Sequence, residues 1–196
     1  MAKFEAIPVD TFEKVLVGAG IVLTNFDITD PIGAIKRKNI LFATDGGMNI
    51  SITPEYTDMA DGLDNCPSNE KELKRLKQYT VTMSGTAKTI YEIGMGWLLP
   101  NKLGASVSMK KVDGITYTTF AFSPGKDPVF KDIWWVGDYG ATDGGFVAIN
   151  IVNALNTAGF SLQSVENDKA SFPFTITGHY SIDDTNDVPI RIYRYG

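Results

Sequence analysis

Apolar and polar residues alternate along much of this chain, and the runs are punctuated by Gly, Asp and Asn. Across residues 171–182, Phe174, Ile176, Gly178, Tyr180 and Ile182 share one face, while Ser171, Pro173, Thr175, Thr177 and His179 occupy the other. A period of two with one apolar face predicts a half-buried strand. Met48, Ile50 and Ile52 alternate in the same way with Asn49, Ser51 and Thr53, and Tyr79, Val81 and Met83 with Thr80, Thr82 and Ser84. Further strands are predicted over residues 13–26, 40–44, 131–137, 146–154, 159–165 and 188–195. Within the first, Gly18 and Gly20 suggest a bulge or a close approach of backbone.

The connections read as turns and loops. Asp30, Pro31 and Gly33 predict a turn, and residues 54–67 a polar loop carrying Glu55, Asp58, Asp61 and Asp64. Asn69 with Glu72 suits one short capped helical turn. Residues 105–112 and 115–122 flank Asp113-Gly114, the signature of a hairpin with a two-residue type I′ turn. Its register places Val107, Met109, Phe120 and Phe122 on one face and Ser106, Ser108 and Thr119 on the other. One helix is predicted over residues 88–99. Thr89 and Glu92 form a capping box, Ile90, Ile93, Gly94, Trp97 and Leu98 make a single stripe, and Pro100 stops it. Together these elements predict a mainly β fold, a β-sandwich or open barrel with one flanking α-helix. Residues 1–196 read as a single domain with no second module.

Composition narrows the function classes. The net charge is −5 and the pI about 4.9, which excludes a protein that grips nucleic acid through clustered Lys and Arg. Nineteen Gly and eleven Phe suit a β-rich fold with many tight turns. A single cysteine, Cys66, excludes an internal disulfide and Cys-based zinc sites. The opening MAKFEAIPVD has no signal-peptide pattern, and no apolar run reaches the ~20 residues of a membrane span. A soluble protein without a membrane partner is expected.

Candidate chemistry is sparse. VGAGIV at residues 17–22 imitates a dinucleotide-binding glycine turn, but the third glycine is missing and a strand continues where a helix should open. His179, the one histidine, falls mid-strand and reads as structural. Cys66 lies in the polar DNCPSN, where no basic residue precedes it to activate a thiolate. Asp58, Asp61 and Asp64 lack the ligand spacing of a calcium loop; they read as a solvated loop or as one facing a basic partner. No catalytic residue, cofactor site or metal site is assigned. Adjacent Trp134 and Trp135 must point to opposite faces of a strand, one into the core and one onto a second apolar surface.

Three segments carry a family resemblance: FKDIWWVGDYGATDGGFVAINIVNALNTAGFSLQS with FPFTITGHYSID, NEKELKRLKQYTVTMSGT, and ITPEYTDMADGLDNCP. They resemble the major tail proteins of long-tailed, non-contractile bacteriophages. That resemblance implies a virion structural protein forming hexameric rings that stack head-to-tail into a hollow tube for genomic DNA, assembled in the bacterial cytoplasm. Its implied partners are further copies of itself, the tape measure, tail tip and tail terminator proteins, and transiting DNA that is not specifically bound. It also implies a long loop that reaches the neighbouring ring.

Two sets of residues follow as candidates. Asn49, Ser51, Thr53, Thr80, Thr82 and Ser84 are candidates to line a lumen, although alternation alone leaves open whether that face meets the lumen or outside solvent. Glu55, Asp58, Asp61 and Asp64, followed by Lys71, Lys74, Arg75 and Lys77, form a segment with its two signs separated along the sequence, suited to inter-ring contact. Other readings stay open: a monomeric β-sandwich binding module, for instance for carbohydrate, or the tube subunit of a headless, tail-like bacteriocin.

Overall fold

The computed structural model describes residues 16–62, 64–67, 69–89, 106–121, 127–140, 144–166 and 169–195. The helix expected over residues 88–99 lies, from residue 90 onward, outside the described residues.

The fold is mainly β and antiparallel. Ten strands are described. They are β1 (Leu16–Leu23), β2 (Ile40–Phe42), β3 (Thr44–Asp58), β4 (Lys74–Ala87), β5 (Ser106–Val112), β6 (Ile115–Ala121), β7 (Lys131–Tyr139), β8 (Phe146–Asn156), β9 (Phe172–Gly178) and β10 (Ile190–Tyr195). Eight form one sheet in the order β2-β1-β7-β8-β9-β4-β3, with β10 also on β8; β5 and β6 form a separate hairpin. The two ends of that order, β2 and β3, are consecutive in the chain and separated only by Ala43. Ala43 is held in turn by the chain leaving β4: its N–H donates to Thr89 Oγ1 at 3.0 Å, and its carbonyl accepts from Lys88 N at 2.8 Å. One bent run of chain therefore joins both ends of the sheet, which curls around an apolar interior.

That interior holds Val22, Leu41, Phe42, Val81, Met83, Ile133, Trp135, Ile151, Phe174 and Ile176. A second cluster, Leu23, Phe26, Val136, Phe146 and Ala148, occupies the other face of β1, β7 and β8. The paired tryptophans divide as expected. Trp135 is buried in the first cluster, while Trp134 packs on the second, its ring 5.7 Å from Phe26 and 5.6 Å from Tyr193. Gly20 serves this packing, because a Cβ there would run into the Trp135 indole, and its φ of 67° suits glycine. The register of β1 against β7 also shifts between Val17 and Ile21, which is the bulge the glycines suggest.

β8 is where the sheet forks. Its residues Phe146 to Ile151 pair with β10, and Ala154 to Asn156 pair with β9 along the same edge. Between them Asn153 takes a φ of 50°, opposite a register shift in β7 between Lys131 and Ile133. Gly178 closes the fork, since a Cβ there would sit 2.8 Å from an Ile151 methyl and 3.1 Å from the Pro189 carbonyl.

Several expectations shift. The Asp30 turn is a single helical turn, Pro31–Ala34, capped by Asp30, which accepts from Gly33 N at 3.1 Å. Residues 159–165 form no strand and make only the bridge Gln163 to Ser171. β9 stops at Gly178, so Ile182 lies in a turn and is 93% exposed instead of lying on a buried face. The polar loop begins later than expected, because β3 runs on to Asp58, and after Asn69 the chain makes one hydrogen-bonded turn, the Glu70 carbonyl accepting from Leu73 N and Lys74 N at 3.2 Å. The Asp113-Gly114 turn has φ of 50° and 82°, as a type I′ turn requires.

Candidate functional site: the two faces of the β3–β4 arm

β3 and β4 are the longest strands, and they outrun their neighbours. β9 pairs with β4 only over Thr82 to Ala87, so β4 from Lys74 to Val81 has β3 as its only sheet partner and projects as a two-stranded arm. Pro54 sits on the outer strand of this arm, where a missing N–H leaves no ladder bond unmade and discourages edge pairing. At the arm's root the Tyr180 hydroxyl accepts from Tyr79 N at 2.9 Å and donates to Tyr79 O at 3.2 Å, satisfying the edge that β9 leaves behind.

One face of the arm gathers all six residues singled out as hydroxyl and amide candidates. Asn49 lies opposite Ser84, Ser51 opposite Thr82, and Thr53 opposite Thr80. Directly opposed residues in an antiparallel pair share a face, so these are three successive cross-strand pairs. Register extends the stripe onto β9, where Thr82 opposes Thr177 and Ser84 opposes Thr175. Thr157 continues it, with its Oγ1 2.8 Å from that of Thr177. Behind this face lie the buried Val81, Met83, Phe174 and Ile176. The stripe carries no charge until Glu55, whose carboxylate accepts from Thr80 and from Gln78. Those bonds, Thr80 first, hold the Glu55 carboxyl below the usual carboxylate range.

The charged candidates lie at the arm's far end, at closer quarters than their sequence order suggests. Asp58 is the cross-strand partner of Lys74, and Thr57 of Arg75. The Asp58 carboxylate accepts from the backbone amides of Ala60 at 2.9 Å and Asn69 at 2.6 Å, which lower its pKa. Lys74 donates to Asn69 Oδ1 at 2.8 Å and lies 5.4 Å from the Tyr56 ring centre. Arg75 bonds the carbonyls of Glu72 and Lys74. Lys71 pairs with Glu72 at 3.3 Å, and both are exposed. Among the described residues no carboxylate comes within ion-pairing distance of Lys74, Arg75 or Lys77. Asp61 and Asp64 are exposed in the connecting turn.

The opposite face of the arm is apolar, and the sequence reading missed its outer half. Ile50 opposes Met83, Ile52 opposes Val81, Pro54 opposes Tyr79, and Tyr56 opposes Leu76. The last pair depends on a bulge, since Glu55 pairs with Gln78 while Tyr56 pairs with Leu76, leaving Lys77 as the extra residue. Strict alternation would have set Lys77 opposite Tyr56. With residues 54–67 read as a loop, nothing in the sequence assigned Tyr56 a cross-strand partner.

His179 is structural, as expected. Its Nδ1 bonds the Asn153 carbonyl, and its ring meets Phe130 edge-on at 5.0 Å. Among the described residues no group of three or more His, Cys, Asp or Glu is placed to hold a metal, and no helix is long and apolar enough to cross a membrane.

No protein family matches this chain, and no curated protein matches it. Among solved structures it is similar to the anti-feeding prophage cap, the tube-terminating cap of that assembly. The identity is 14% over the whole of both chains and the TM-score is 0.46, a likeness too distant to assign a function.

Proposed function

We propose that this chain is a structural, non-enzymatic subunit of a phage-type tail tube, closing into hexameric rings that stack head-to-tail around a DNA channel. The observation that carries this reading is the arm's polar face. Asn49/Ser84, Ser51/Thr82 and Thr53/Thr80 oppose one another in register and continue onto Thr175 and Thr177 without a charged side chain. A surface that offers hydroxyls and amides but no cation gives a polyanion nothing to condense on, so DNA slides past it. In this reading those residues line the lumen. The family resemblance of the three segments points the same way.

The arm's far end supplies the contact between rings. Glu55, Asp58, Asp61 and Asp64 with Lys71, Lys74, Arg75 and Lys77 present both signs on a projecting element. Each exposed ion pair contributes only about 0.2–1 kcal/mol, but a ring repeats it at every subunit. Heterologous contacts of this kind close rings and then extend them into open stacks. The tape measure, tail tip and terminator proteins would be the other partners, and the tail of the virion the destination.

Two substitution sets test this. Lys74→Glu with Arg75→Glu is expected to stop elongation while leaving the fold intact, and adding Asp61→Lys with Asp64→Lys to restore part of it. Ser51→Lys with Thr82→Lys is expected to leave tubes intact and to slow genome ejection. Normal tubes from the first pair would remove the arm from the stacking contact, and unchanged ejection from the second would remove these residues from the lumen.

A further inference from the structure

The apolar face of the arm extends past the core from which it grows. At its root Val81 and Met83 are fully buried, whereas Ile52, Tyr56 and Leu76 further out are 41%, 54% and 47% exposed. The Lys77 bulge is what keeps this outer part apolar, because it returns Leu76 to the face of Tyr56. A solvated arm would gain nothing from that correction. Lys74 stands at the end of the face, over the Tyr56 ring and without a described carboxylate in ion-pairing range.

A complementary feature stands elsewhere on the same chain. The bonds from Tyr180 to Tyr79 anchor the turn that follows β9 beside the arm's root. Its tip presents Ile182, 93% exposed, with Asp183 and Asp184 next in sequence. No described cation pairs with either acid, whereas Asp187 is taken by Arg191. An exposed isoleucine beside two carboxylates that no described cation pairs matches an exposed apolar face beside an ammonium whose hydrogen bond goes to the neutral Asn69 Oδ1. Within one chain the two remain unmatched.

We infer that the Ile182 turn of one copy seats on the Ile52–Tyr56–Leu76 face of another, with Asp183 and Asp184 meeting Lys74. The partner is a second copy of this chain, because each copy carries one half of the contact and leaves the other half open. Such a contact is heterologous and propagates. It rests on the self-assembly proposed above and gives Lys74 the Asp183–Asp184 pair of a neighbouring copy in place of Asp61 and Asp64.

Cross-linking tests it on the full chain. Cys66→Ser leaves no thiol, and on that background Leu76→Cys and Ile182→Cys chains are mixed at assembling concentration and oxidised with diamide. The expected product is a disulfide-linked pair containing one chain of each kind, formed at least tenfold faster than either like pair. Asp183→Lys with Asp184→Lys should remove that preference, and Lys74→Glu in the partner should return it, with circular dichroism confirming the fold of each variant. If the chains assemble but cross-link at equal rates in all combinations, or not at all, this contact is wrong and the assembly reading stands. If the wild-type chain never assembles, both fall.

Discussion

The side-chain amide of Asn153 donates to the carbonyl of His179 at 3.2 Å, and Nδ1 of His179 donates back to the carbonyl of Asn153 at 3.1 Å. This reciprocal pair lies at the fork where β8 passes from β10 to β9, with Asn153 at a φ of 50° and its N–H bonded to Asp132 at 3.2 Å. It ties the curl of the sheet to the start of the arm-bearing half. Asn153→Ala loses a hydrogen bond and adds backbone strain, and is expected to cost about 2 kcal/mol. Asn153→Gly keeps the backbone comfortable and should cost about half of that. Urea denaturation measures both, and equal losses would contradict the role given to the left-handed conformation.

Two glycines with similar φ separate strain from packing. Gly46 has a φ of 74° with open space around it, so Gly46→Ala is expected to cost about 1 kcal/mol. Gly20 has a φ of 67° and the Trp135 indole against it, so Gly20→Ala should cost more than about 3 kcal/mol by displacing a core ring. Thermal unfolding with tryptophan fluorescence reads both, and a blue-shifted emission maximum in the native Gly20→Ala protein would contradict the expected opening around Trp135.

The Tyr180 hydroxyl serves both backbone groups of Tyr79. Tyr180→Phe is expected to cost about 1–2 kcal/mol and to accelerate hydrogen exchange at the Tyr79 amide at least tenfold, with the Met83 amide unchanged. Uniform acceleration across β4 would mean that the hydroxyl supports global stability instead of this edge.

Much of this fold was legible because alternation is a backbone property and survives without knowledge of partners. The polar faces of β3, β4 and β9, the Asp113-Gly114 turn and the division of Trp134 from Trp135 follow from period and turn chemistry. What stayed hidden depends on pairing. Pro54 and four acids read as a loop, yet an edge strand tolerates proline and the carboxylates of Glu55 and Asp58 find neutral donors. The Lys77 bulge has no local signature, because it exists only relative to β3. Strand 159–165 failed because only Phe160 and Leu162 alternate, Val165 falls out of phase, all three are exposed, and the segment makes only the bridge from Gln163 to Ser171.

Acid should loosen the arm before the core. Glu55 and Asp58 both have pKa values depressed in the fold, by Thr80 and Gln78 in the first and by the Ala60 and Asn69 amides in the second. A depressed carboxyl contributes stability above its unfolded pKa, about 4 here, and that contribution fades as pH falls through the folded value. Hydrogen exchange at the Ala60 and Asn69 amides, corrected for intrinsic rate, is expected to rise relative to Val81 between pH 5 and 3, and Asp58→Asn to abolish the change. A constant ratio across that range would exclude these carboxylates as the acid-sensitive contacts.

Self-assembly through the polar-faced arm is read by electron microscopy of the purified chain across a concentration series. Rings that lengthen into hollow tubes of uniform width are expected as concentration rises, with Lys74→Glu/Arg75→Glu chains arrested before elongation. Discrete monomers at every concentration, with or without tail-tip components, would contradict it.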